Sequence, residues 1–175
     1  MSVMRRAWAM PNADTFSVPP IREFVERWLE GCEVIVDPFA RNSRFGTIRN
    51  DLNPDTDAEW HMDADEFCYM LARQDLQADA VIFDPPYSPR QMSEVDQKVG
   101  SRGADSTQNA RLYKAVRDGL NYLLKPGGIA LSFGWNSAGF GERRGYERLE
   151  LLLVAHGGAH NDTICVAERK GVSHG

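Results

Sequence analysis

The residues of this chain best suited to chemistry stand together at Asp84-Pro85-Pro86-Tyr87, directly after the apolar run Ala80-Val81-Ile82-Phe83. The β-branched centre of that run reads as a strand buried on both faces, so the carboxylate is offered at a strand end. Pro85 and Pro86 each push the preceding residue into an extended backbone, and neither has an N–H to donate. The result is a stiff rim of acceptors, the Asp84 carboxylate and nearby carbonyl oxygens, with the ring of Tyr87 beside it. Such a rim suits a planar group carrying an exocyclic amine: the acceptors take the amine hydrogens and the ring stacks on Tyr87. The plain alternative is that two prolines only start a loop and that Tyr87 packs at its rim.

Acids recur at other expected strand ends. Glu33 to Val36 reads as a short strand running into Asp37-Pro38-Phe39-Ala40, a second carboxylate followed by proline. Gly46 to Leu52 is a further candidate strand, and Asp51 at its end suits the ribose hydroxyls of a nucleoside cofactor. Asp51-Leu52-Asn53-Pro54 equally favours a plain turn. Asp63 precedes Phe67, Met70 and Leu71 at helical spacing and reads as a helix cap.

The elements that must position these residues follow from periodicity. Residues 1–15 show none and are expected to form a loose arm. Ile21, Phe24, Val25, Trp28 and Leu29 predict an amphipathic helix, with prolines at its start and Gly31 past its end. Ser88 to Gln108 is polar, contains Gly100 and Gly103, and is expected to be a mobile loop. Leu112, Ala115, Val116, Leu120, Leu123 and Leu124 predict a long helix ended by Lys125-Pro126-Gly127-Gly128. Ile129 to Phe133 is another buried strand, and Tyr146 to Ala155 and Asp162 to Glu168 read as two strands joined across Gly157-Gly158. Strands alternating with helices before a closing pair of strands predict an α/β sandwich with a mostly parallel sheet. In such sheets ligands bind just outside the carboxyl ends of the strands, where Asp37 and Asp84 fall.

Composition bounds the reading. The 175 residues suit one domain spanning 1–175. No run reaches the roughly 18 apolar residues of a membrane span, so no membrane partner is expected. Three scattered cysteines, Cys32, Cys68 and Cys165, never pair as Cys-x-x-Cys. With no export signal visible, they suggest reduced thiols in a cytoplasmic protein. His156 and His160 lie four apart but enclose two glycines, which argues against a helical metal pair, and no metal is expected. A net charge of −5 works against binding phosphate, although Arg41, Arg44 and Arg49, and Arg143, Arg144 and Arg148, form local basic clusters. Each cluster alone reads best as a solvated face.

Asp84-Pro85-Pro86-Tyr87 resembles the signature of S-adenosylmethionine-dependent amino-methyltransferases, enzymes that methylate the exocyclic amine of adenine or cytosine in nucleic acid. Ribosomal RNA guanine methyltransferases carry nearly the same tetrad and protein glutamine methyltransferases a close relative. The likeness runs from about Phe16 to Glu168. It implies a Rossmann-like three-layer methyltransferase fold, with a mostly parallel seven-stranded sheet whose last strand is antiparallel. It also implies that Phe16 and Ser17 hold the methionine moiety, that Asp37, Pro38 and Phe39 open the cofactor loop, that Asp51 meets the ribose and that Asp63 lies beside the adenine amine. Asp84 would serve both cofactor and catalysis, with Pro85, Pro86 and Tyr87. Family members follow Asp-Pro-Phe with two glycines; here Arg41-Asn42-Ser43 stands instead, so Arg41 either reshapes the loop or weakens cofactor binding.

The order of the motifs resembles the adenine group, which makes DNA, duplex or single-stranded, the expected partner. The span between Asp37 and Asp84 is too short for a separate recognition domain, so the chain is expected to read little sequence, dimerise or borrow a partner. Two alternatives stay open: methylation of RNA or of a protein amide, and a methyltransferase-fold protein that binds without catalysing. A nicotinamide oxidoreductase is disfavoured because no Gly-x-Gly-x-x-Gly is present.

Overall fold

The computed structural model describes residues 2–86 and 106–172, without the side chains of 106–108. Seven strands form one sheet: β1 (Val3–Trp8), β2 (Ile35–Asp37), β3 (Ile48–Arg49), β4 (Ala78–Phe83), β5 (Leu124–Gly134), β6 (Tyr146–Ala155) and β7 (Thr163–Lys170). Their spatial order is β1-β6-β7-β5-β4-β2-β3. All pairings are parallel except those of β7, which runs antiparallel to both β5 and β6. The expected antiparallel last strand is therefore present. Six strands consequently bring their carboxyl ends to one edge of the sheet.

Alternation along β4 explains why it is apolar from Ala80 to Phe83. Ala80 and Ile82 face helix α1 (Pro19–Leu29), packing with Ile21, Phe24, Val25, Leu131 and Val154. Val81 and Phe83 face the other way, towards α2 (Ala64–Ala72) and α3 (Ser106–Leu123), with Phe67, Leu71, Val116 and Leu120. Helices thus cover both faces, the three-layer arrangement expected from the resemblance. The apolar stripe of α1 is fully spent on the sheet, with Phe24 and Val25 at 0% exposure. Truncating Phe24 to alanine belongs to the class of change that costs about 3–5 kcal/mol. The two outer helices lie so close that a Cβ on Gly119 would stand 2.7 Å from Cys68 Cβ.

Residues 3–8 correct the expectation of a loose arm at 1–15. They form an edge strand in parallel register with β6, Val3 opposite Glu150 and Trp8 opposite Ala155. Only Ala7 among them is even half-buried, so no period-2 burial pattern marked the strand in the sequence; backbone groups hold it. The expected mobile loop at 88–108 lies outside the described residues up to 105, and from Ser106 the chain is helical. The candidate strand at 46–52 shrinks to Ile48–Arg49, extended by a bridge between Asn50 and Trp60. β5 starts earlier than expected, Leu124 pairing with Ala78 before an irregularity at which Gly127 takes φ 80°.

Candidate active site

β4 delivers Asp84 to the carboxyl edge of the sheet, and the turn after it is held from below. The Tyr113 hydroxyl on α3 donates to the Pro86 carbonyl at 2.5 Å. Its ring meets Phe39 and Phe83 edge to face, with centroids 6.1 and 6.2 Å away. Phe39 also meets Phe83, so one aromatic cluster braces both Asp-Pro strand ends. Burial pushes the Tyr113 hydroxyl up to about 12, which keeps it a donor. Tyr87 lies outside the described residues.

Asp84 opens into a cavity of about 290 Å³ whose walls include Asn12, Thr15, Arg41, Pro85, Trp135 and Asn161. Burial raises the Asp84 carboxyl above the usual carboxylate range, while the Arg41 charge and a hydrogen bond with the Thr15 side chain pull it back. Thr15 is placed by its neighbours. The Asp14 carboxylate accepts the Phe16 N–H at 3.2 Å and starts a 3-10 turn, and Phe16 drives into the core against Phe45 and Phe133. Phe16 is therefore the anchor of this wall, at 6% exposure, and Thr15 faces the cavity. Ser17 is exposed, its hydroxyl donating to the Asp14 carbonyl.

The loop after β2 departs most from expectation. Arg41 occupies a left-handed backbone conformation, φ 50°, where a glycine would be at ease. Its N–H donates to Asp51 Oδ2 at 2.9 Å, and the Asn53 N–H donates to Oδ1 at 2.9 Å. Asp51 is thus a buried tie between the ends of β2 and β3. The Asn42 side chain accepts the Asp57 N–H, Arg44 pairs with Asp57, and Arg49 is clasped by Glu59 and donates to the Ser43 carbonyl. Two arginines of the expected basic cluster are therefore spent on acids of their own chain. Asp37 is sealed at 0% exposure, beneath buried Pro38 and against Gly46, where a Cβ would come within 2.8 Å of Asp37 Cβ. Asp63 begins α2 but makes no capping bond with its side chain, which is exposed.

The far wall comes from the hairpin of β6 and β7. His156 donates from Nδ1 to the Ala9 carbonyl at 2.9 Å, because a carbonyl can only accept, and its Nε2 shares a hydrogen bond of 2.8 Å with the Thr163 hydroxyl. The ring ties the N-terminal segment to the hairpin. Among the described residues no group of three or more His, Cys, Asp or Glu could hold a metal ion, and no helix is long and apolar enough to cross a membrane. Arg41 as a cavity residue, Trp135 and Asn161 were not singled out from the sequence as site residues, and Thr15 entered only as the start of the turn at 15–20 that the family resemblance gives to the methionine moiety. Trp135, directly after β5 and 47% exposed, had the clearest signal, an aromatic at a strand end.

Solved structures share this architecture. TrmN from Thermus thermophilus superposes with a TM-score of 0.57 at 16% identity, over 87% of this chain and 49% of that one. NSun6 from Pyrococcus horikoshii, solved with SFG, gives 0.56 at 15% identity, over 85% and 51%. The fold is a Rossmann-like methyltransferase fold. The N-methyltransferase NodS from Bradyrhizobium japonicum WM9 gives 0.50 at 13% identity, over 88% of this chain and 98% of that one. The present chain thus spans about half the length of TrmN and NSun6 and nearly all of NodS. No family model matches the sequence, and no curated protein does.

Proposed function

We propose that the protein transfers a methyl group from S-adenosylmethionine to the exocyclic amine of adenine in DNA, with little sequence preference. The observation that carries the reading is the Asp84-Pro85-Pro86 turn, braced by Tyr113 and opening into a cavity at the carboxyl edge of a methyltransferase sheet. The presence of an N-methyltransferase among the structural neighbours supports nitrogen as the acceptor.

The residues fit the cofactor at its amino-acid end. The cavity beside Asp84 sets a carboxylate and a guanidinium on its walls, opposite charges that match a zwitterion. At the ribose end, Asp51 already accepts two backbone N–H groups and keeps only its remaining lone pairs. When bound, the cofactor supplies an electrophilic methyl on a sulfonium.

The chain's own residues do the rest. An aromatic amine is a poor nucleophile because its lone pair is delocalised into the ring. The Asp84 carboxylate and the Pro85 carbonyl accept its two hydrogens and turn the lone pair out of the ring plane. Thr15 fixes the orientation of the carboxylate, and Tyr113 fixes the turn that carries both acceptors. Asp84 need not be a strong base, since the amine becomes acidic as its nitrogen gains a bond. Tyr87, by its place in the sequence, would stack on a base drawn out of the helix, a contact of about 1–3 kcal/mol.

The test is labelled S-adenosylmethionine offered side by side to duplex DNA, single-stranded DNA, RNA and protein, with digestion of the product to nucleosides or amino acids. N6-methyladenine spread over many sequence contexts is expected. Label in RNA or in a protein amide would move the substrate while keeping the Asp84 chemistry; one strict four-to-six-base site would overturn the low specificity.

A further inference from the structure

Arg41 links two walls of the cavity, at Ala13 and Asp84, to the buried Asp51 behind them. Its backbone N–H holds Asp51 and its Nη1 donates to the Ala13 carbonyl at 2.7 Å, while its charge reaches Asp84. Its left-handed backbone is a conformation that any side chain strains to adopt. Glycine would take φ 50° freely and still offer the same N–H to Asp51, so the loop has no local need of a side chain here. The guanidinium has five N–H donors and gives one to Ala13, which leaves a planar donor fork on a cavity wall. Such a fork matches a carboxylate in two parallel hydrogen bonds. The cavity, at about 290 Å³, lies at the small end of the range of ligand sites. That scale suits the short amino-acid end of the cofactor.

We propose that Arg41 is a specificity residue that binds the α-carboxylate of the cofactor's amino-acid moiety. This rests on the methyltransferase reading above. It explains why the loop keeps a strained arginine: the guanidinium replaces the donors that a glycine-rich loop would otherwise present through its backbone.

The experiment is calorimetric binding of two ligands, S-adenosylhomocysteine and its decarboxylated analogue S-adenosyl-3-thiopropylamine, to wild type, Arg41→Gly and Arg41→Gln. Glycine suits φ 50° and glutamine keeps side-chain length without charge, so at least one variant is expected to fold, as checked by thermal melting. Wild type should prefer the carboxylate-bearing ligand tenfold or more. Both variants should lose that preference to within about twofold while binding the decarboxylated ligand as wild type does. A preference retained in the variants, or tighter binding of both ligands as if a plug had been drawn, overturns the assignment of Arg41 alone. Absence of binding of either ligand to folded wild type overturns the cofactor reading as well.

Discussion

β2 and β4 each finish in Asp-Pro, and the chain treats the two carboxyls in opposite ways. Asp84 meets a cavity, a threonine side chain and a guanidinium, and the Arg41 charge favours its ionised form. Asp37 meets only protein: one oxygen accepts the Phe39 N–H, and Oδ2 has no partner at all. Burial, helped by the neighbouring Asp84 and Asp51 charges, pushes the Asp37 carboxyl up to about 8. The difference lies in what stands against each acid. Asp84 lines a cavity, whereas Asp37 is packed against Gly46 and closed in by its own loop. A strand-end acid is thus chemical only where it faces a cavity.

The largest effect expected from this contrast is on Asp84→Ala. Methyl transfer should fall about a hundredfold or more, the scale seen when one organising polar group is lost from a transition state. Folding should survive, since the side chain leaves an open cavity and not the apolar core. Near-normal transfer by the folded variant would erase the distinction between the two acids.

Asp37→Asn should act on stability. The folded carboxyl binds its proton more tightly than the unfolded one, so the stability it contributes is full below about pH 4 and is lost as pH rises through about 8. Asparagine cannot ionise, and between pH 5 and 8 the wild type should lose on the order of 4 kcal/mol more stability than the variant. Denaturant titrations of both proteins across that range check it; parallel pH profiles would show that Asp37 is ionised in the fold.

Tyr113→Phe should loosen the Asp84 turn without touching its acid. The lost hydrogen bond to Pro86 should cost about 1 kcal/mol of stability and slow transfer several-fold. Unchanged transfer would make the brace dispensable. Asp63→Ala should do least, within about 0.5 kcal/mol, because that side chain caps nothing; a larger loss of cofactor affinity would show that Asp63 has the adenine role the family resemblance implies.

What was legible in the sequence follows the same division. The apolar run of β4, the stripe of α1 and the closing hairpin could be read because packing imposes a period, and periods survive in sequence. Strand β1 could not, since an edge strand held by backbone bonds places no demand on its side chains. Asp84 was legible as a site because two prolines fix its surroundings locally. Asp37 and Asp51 carry similar local signatures, and their covering depends on Arg41, Asn53 and Gly46, contacts that no local pattern encodes. Phe16 anchors its wall in the core against Phe45 and Phe133, a packing role that its position in the sequence did not show.

The pairing of β1 with β6 has a consequence for how the molecule is made. Ala9 and His156, 147 positions apart, hold each other where the first strand ends. During synthesis the first strand must wait, unpaired, until β6 has emerged, whereas β3, β4 and β5 each find an earlier strand to pair with. Contacts so remote in sequence are slow to form and form late. The segment from Pro11 to Thr15, which follows that strand, is therefore fixed in place only once β6 is present. A ribosome-bound chain cut short before β6 would join only β5, β4, β2 and β3, and Asp84 would lack both the N-terminal segment and the hairpin as walls of its chamber.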